Sequence, residues 1–184
     1  MNSTKKLIIM VLLLSTVAFA RKRDPLTEAE TDQLRQVTME PEKRLKLLLK
    51  FTEARLDAID QARADAKQAH GRGAKIHDLL EDFTYLIDEV NDNLDQYQGG
   101  RLLDKDSVKD YRKALKEVIT AEDRFHARLR TLRHDAETDP QTKTEARDYM
   151  FALQDAEDDL KSSLDTAKEY SKEKEEEKPA GKPK

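Results

Sequence analysis

Glu122 and His126 are the two residues of this chain whose types and spacing are best suited to chemistry. They are four residues apart in a segment with helical apolar spacing, so both side chains are expected on one helix face. A carboxylate and an imidazole one turn apart can form a pair or bind a metal ion. We predict a structural pair, in which His126 or a neighbouring arginine holds Glu122 inside the protein. A metal site at Glu122 and His126 is the alternative.

Two more elaborate sites would also use His126. Asp123 and His126 have the carboxylate-x-x-histidine spacing of di-iron helical bundles, but that site requires the same motif on a second helix. No other histidine of the chain has an acid three residues before it. A haem held between helices would have to use His126 and Met150 as its two ligands. We predict neither site and assign no metal ion and no cofactor to the chain.

The sequence contains none of the motifs that identify common catalytic sites. A glycine-rich phosphate loop, the zinc-protease motif H-E-x-x-H and a nucleophile elbow are all absent. The chain also has no cysteine, which excludes disulfides, thiolate metal ligands and a cysteine nucleophile. We therefore predict that the protein is not an enzyme.

The elements that position these residues are predicted to be long helices. Charged residues make up 39% of the chain, glycine and proline number only five each, and tryptophan is absent, a composition typical of solvent-exposed helices. Apolar residues at 76, 83, 90 and 97 are seven apart, which indicates coiled-coil-like packing of the helix that carries them. Turn and capping residues place the helices at about residues 28–38, 41–69, 74–98, 106–136 and 139–173.

Two local signals fix helix starts. Thr27 and Glu30 form a capping box, in which each side chain accepts a hydrogen bond from a free backbone N–H. Pro41 suits the first position of the second helix, where its missing N–H costs nothing.

The fold class we predict is all-α: an antiparallel up-down bundle of four long helices plus a short N-terminal helix. Short connections favour packing of each long helix against its neighbours in the sequence. The third helix is acidic, whereas residues 43–50 of the second and 124–133 of the fourth are basic. We therefore expect both basic segments beside the third helix.

The first twenty residues have the pattern of a secretory signal peptide. Lys5 and Lys6 precede an apolar run, Leu7–Ala20, which ends in Ala18-Phe19-Ala20 with small residues at the peptidase positions. Fourteen residues are too few for a membrane-spanning helix, which needs about 20. We predict a signal peptide at residues 1–20 that is cleaved before Arg21, export to the periplasm or the extracellular space, and no stable membrane span.

The charge after this run supports an alternative. Arg21, Lys22 and Arg23 follow the cleavage site directly, and positive charge there resists translocation. Under this alternative the chain stays anchored in the membrane through residues 7–20.

The remaining chain divides into a bundle domain and a tail. We predict a helical domain at residues 21–173 and a disordered tail at 174–184, because the tail has only Lys, Glu, Pro, Ala and Gly residues. Loss of the signal peptide would change the formal net charge from −4 to about −6, which argues against nucleic acid as a partner.

These observations predict a function in binding. We expect an exported, non-catalytic helical protein that acts by protein–protein interaction in the cell envelope, in a structural or chaperone-like role. The alternative is a four-helix bundle that binds a small ligand, a metal ion or haem.

Overall fold

The computed structural model describes residues 23–65, 71–98, 105–140 and 142–176. The predicted signal peptide and residues 177–184 of the predicted tail lie outside the described residues. Within the described ranges every regular element is a helix, which confirms the predicted all-α bundle. The helices are α1 (Glu28–Gln36), α2 (Pro41–Ala64), α3 (Arg72–Gln98), α4 (Lys105–Thr138), α5 (Lys143–Ala146) and α6 (Met150–Glu176).

The starts of the first two helices agree with the sequence signals. At α1 the Thr27 hydroxyl accepts a hydrogen bond from the backbone N–H of Glu30, and the Glu30 carboxylate accepts one from the backbone N–H of Thr27. Pro41 is the first residue of α2. Both features satisfy or remove backbone donors that the first helical turn leaves free.

Helix α3 begins earlier than the sequence pattern indicated. Gly71 has a φ of 81°, a left-handed conformation suited to glycine, and its carbonyl oxygen accepts the first helical hydrogen bond, from Lys75. Gly73 is therefore part of α3 rather than of the preceding loop. It is buried, and a Cβ atom there would lie 2.7 Å from the Glu145 carbonyl oxygen. The glycine allows α3 and α5 to pack closely.

The single helix predicted from residue 139 is divided in the structure. Residues 143–146 form α5, residues 147–149 form a turn, and α6 then continues to Glu176. The tail was expected to begin at residue 174, so α6 extends three residues into it. No helix in the described ranges combines the length and the apolar composition that crossing a membrane requires.

The four long helices alternate in direction and form a four-sided bundle. Helix α3 packs against α2 and α6, and α4 packs against α2 and α6. Ion pairs along α2 and α4 advance together in both helices, from Glu42–Lys113 through Glu53–Arg124 to Arg63–Asp135, so α2 and α4 are parallel. Helices α3 and α6 are also parallel, since Phe151 lies near His77 and Tyr170 donates a hydrogen bond to Asp95. The pairs α2–α3 and α4–α6 are antiparallel.

This arrangement corrects the expected neighbour order. Helices α3 and α4 are consecutive but lie diagonally across the bundle. The basic start of α2 does lie beside α3, since Arg44 pairs with Glu89 at 3.3 Å. The basic end of α4 instead faces α2 through Arg128, and α6 through Arg133. Charge alone did not fix the order, because exposed ion pairs contribute only about 0–1 kcal/mol each.

The bundle core is predominantly apolar and continuous over its length. Phe83 of α3 and Phe125 of α4 meet at its centre in an edge-to-face contact, with ring centroids 6.0 Å apart and ring planes at 78°. Both rings are fully buried. Leu34 of α1 is also buried in this core, so the short helix closes over the bundle side.

Candidate functional site

Glu122 is a carboxylate in the centre of the bundle. Its side chain on α4 is fully buried, and its Oε1 atom accepts a 2.6 Å hydrogen bond from the hydroxyl of Ser163 on α6. Its Oε2 atom has no hydrogen-bond partner in the described part of the chain. Burial raises the pKa of Glu122 to about 7, in spite of the Ser163 hydrogen bond, because the charged form loses its hydration.

His126 forms no hydrogen bond or ion pair with Glu122 in the described residues. It lies at the edge of the apolar stripe and is half-buried, whereas Glu122 faces α6. The partner of Glu122 is therefore a hydroxyl rather than the expected imidazole or guanidinium. Glu157 of α6 does show the acid–arginine pairing, since its Oε2 accepts a 2.7 Å hydrogen bond from Nε of Arg133.

The structure does not bring together the residues of a di-iron site or of a haem site. Asp123 is exposed and pairs with Lys168 at 3.3 Å, so it lies on the outer face of α4. For the haem site, the distance between His126 and Met150 is decisive. Helices α4 and α6 are antiparallel with residue 122 level with residue 163, so Met150 lies about three helical turns from the level of His126. A haem iron needs both axial ligands within a few ångströms.

One group of three metal-binding side chain types occurs in the described residues. His77, Asp78 and Glu81 lie on α3 with ligand atoms within 4.8 Å of one another, and the Nδ1 atom of His77 is 4.0 Å from Glu81 Oε2. Asp78 and Glu81 are exposed, and a single helical turn supplies the whole group. Such a group has no second helix to hold its geometry.

An open groove of about 520 Å³ lies between α3 and α6 and includes His77 and Glu81. We call it the α3/α6 groove. Its lining also includes Arg23, Pro25, Asp82, Thr84, Tyr85, Asp88, Phe151, Ala152 and Asp155.

The α3/α6 groove is strongly acidic because neither wall carries a cation. The sequence has no lysine or arginine between Lys75 and Gln98, nor between Arg147 and Leu160. Burial and the nearby carboxylates of Asp159, Asp92 and Glu89 raise the pKa of Asp88. The Asp88 and Asp159 carboxylates, on opposite helices, thus repel each other across the groove.

An arginine closes one end of the groove. Arg23 donates hydrogen bonds to the Asp82 carboxylate at 2.7 Å and to the Asp78 carbonyl oxygen at 2.6 Å. Behind it, Arg55 of α2 binds the Glu30 carboxylate through two hydrogen bonds of 2.8 and 2.7 Å. A cationic side chain from another segment is therefore already accommodated at this edge.

The α3/α6 groove also carries exposed aromatic surface. Phe151 is 85% exposed and Tyr85 is 38% exposed, although each lies beside buried residues of its own helix. The sequence indicates the acidic third helix, but Phe151 was not among the predicted site residues. The available signal was its position, since it falls outside the apolar stripe of α6.

A second groove, of about 500 Å³, lies on the opposite side of the bundle between α2 and α4. We call it the α2/α4 groove. Leu49 and Ala121 form its floor, and its rim carries Lys46, Lys50, Lys113, Lys116 and Arg124 together with Glu53 and Glu117. The two grooves therefore give the bundle one acidic side and one predominantly basic side.

Comparison of the chain with models of known protein families, with curated proteins and with solved structures gives no match.

Proposed function

We propose that this protein is an exported helical bundle that binds another polypeptide in the cell envelope, in a structural or chaperone-like role. The observation that carries the proposal is Phe151, a large apolar side chain that is 85% exposed at the edge of the α3/α6 groove. Exposed aromatic anchors surrounded by polar residues are typical of protein-binding surfaces.

The chemistry of the groove defines the complementary surface. Asp88, Asp155 and Glu81 favour a partner with basic side chains, and Phe151 favours a partner with a small apolar depression. The hydrogen bonds that Arg23 makes at the edge of the groove illustrate how a cation is received there.

Zero-length crosslinking in producing cells tests this function, because a carbodiimide joins carboxylates directly to amines. Mass spectrometry should identify intermolecular links from Asp88 or Asp155 to lysines of another chain. The links should decrease in a Phe151→Ser variant and remain in a Met39→Ser variant, whose side chain is 90% exposed but does not line the groove. Intermolecular links confined to other surfaces would contradict the proposal.

A further inference from the structure

The two grooves of the bundle are complementary to each other. On the acidic side, Phe151 projects from a rim of Glu81, Asp88 and Asp155. On the basic side, a groove of about 500 Å³ has the apolar floor and lysine rim described above. Each surface supplies what the other lacks, an apolar projection for a depression and carboxylates for ammonium groups.

We propose that the partner bound at the α3/α6 groove is a second copy of this chain, which contributes its α2/α4 groove. This inference rests on the proposed function and names its partner. Phe151 of one copy enters the other copy's depression above Leu49 and Ala121. The acidic rim then faces the lysines of that copy.

The charged side chains that would pair in this contact have no partner within the described part of their own chain. The side chains of Lys50 and Lys116, which line the α2/α4 groove, form no ion pair or hydrogen bond in the described ranges, and neither do those of Asp88 and Asp155 in the α3/α6 groove. Lys46 and Arg124, in contrast, are paired with Glu42 and Glu53 of their own chain. The unpaired lysines and the unpaired aspartates can therefore pair between copies without breaking an existing bond.

The position of the grooves determines the form of the assembly. They lie on opposite sides of one bundle, so a chain cannot fill its own acidic groove with its own basic groove. Two different surfaces meet at each contact, which makes the contact heterologous. Copies therefore join head to tail, and the assembly keeps one free acidic groove at one end and one free basic groove at the other.

Sedimentation velocity on protein recovered from the envelope fraction tests the proposal with two variants. The acidic-side variant is Phe151→Ser with Asp155→Asn, and the basic-side variant is Lys50→Glu with Lys116→Glu. Helix content by circular dichroism checks that each variant folds, and Met39→Ser is the control. We expect the parent and the control to form a concentration-dependent series of oligomers in about 50 mM salt, weakened in about 500 mM salt by screening.

The mixture of variants is the decisive sample. Each variant alone should associate at least about tenfold more weakly than the parent, because one of its two surfaces is lost. An equal mixture should form dimers and stop there, since one intact surface of each kind remains. A monomeric parent, variants that associate like the parent, or a mixture without dimers would overturn the inference. A monomeric parent that still forms links from Asp88 to a different envelope protein would leave the proposed function standing.

Discussion

At the scale of single residues, Glu122 is the least expected feature of the core. A fully buried carboxylate with one hydroxyl partner is costly to ionise, and its raised pKa of about 7 expresses that cost. The charge of Asp123 on the outer face raises the pKa of Glu122 further, and the charge of Lys168 lowers it. The site therefore couples the state of one proton to the stability of the whole bundle.

This coupling predicts that the protein becomes less stable as pH rises. Between about pH 4.5 and 7 the folded state keeps the Glu122 proton while the unfolded state has lost it, so the free energy of unfolding falls by about 3 kcal/mol. Urea denaturation at pH 5 and pH 8 should show the loss in the parent. Glu122→Gln resembles the protonated form and should remove this component, whereas Asp123→Asn should retain it. An undiminished pH dependence in Glu122→Gln would contradict the assignment.

Phe83 is the residue on which the core should depend most strongly. It is fully buried at mid-helix and contacts Phe125 across the bundle diagonal. Phe83→Ala removes this contact and leaves a cavity, so we expect a loss of about 3–5 kcal/mol in the free energy of unfolding. Tyr85→Ala, two residues along α3 but 38% exposed, is the matched control and should cost much less. A loss below about 1 kcal/mol for Phe83→Ala would be incompatible with the packing described.

At the scale of elements, the close packing of the start of α3 against α5 depends on Gly73 having no side chain. Gly73 faces α5, where an added Cβ atom would lie 2.7 Å from the Glu145 carbonyl oxygen and 2.6 Å from Asp148 Oδ2. The backbone oxygen cannot move without shifting α5.

We therefore expect Gly73→Ala to destabilise the protein by about 1–3 kcal/mol, even though alanine ordinarily favours a helix. Thermal or urea unfolding measures the change. Ala74→Ser at the next, exposed position is the control and should have little effect. A Gly73→Ala variant as stable as the parent would show that α3 and α5 are not packed this closely.

Helix starts were predictable where a residue satisfies or removes a free backbone N–H of the first helical turn. The Thr27–Glu30 capping box and Pro41 did so, and both helix starts are as predicted. The break between α5 and α6 was not predictable, because residues 147–149 contain neither glycine nor proline. The inclusion of Gly73 in α3 was also missed, because its reason is tertiary contact rather than propensity.

At the scale of the whole molecule, apolar periodicity predicted the bundle but not which helices touch. The apolar stripe of α3 would be buried equally well with α3 beside α4 or diagonally across from it. Which arrangement forms depends on how the apolar faces of all four long helices pack together. The burial of Glu122 followed from its place within a stripe, but its partner Ser163 lies 41 residues away and carries no local signal. The exposure of Phe151, in contrast, has a local signal, because this residue falls outside the apolar stripe of α6.

Export of the chain is a further prediction at this scale. The 14-residue apolar run and Ala18-Phe19-Ala20 predict a mature chain that begins at Arg21. Intact-mass spectrometry of protein from the envelope fraction should show the loss of residues 1–20. A membrane-bound form that retains Met1 would indicate anchoring through residues 7–20 instead.

The central claim is that the α3/α6 groove binds another polypeptide, and a photo-crosslinking amino acid at position 151 tests it most directly. Position 151 already holds an exposed aromatic ring, so a benzoylphenylalanine there changes the surface little. The same amino acid at position 39 provides the matched exposed control. After irradiation of producing cells, we predict discrete adducts from position 151 that are absent from position 39 and that disappear with Asp88→Lys. Equal labelling from both positions, or no adduct from position 151, would contradict the account.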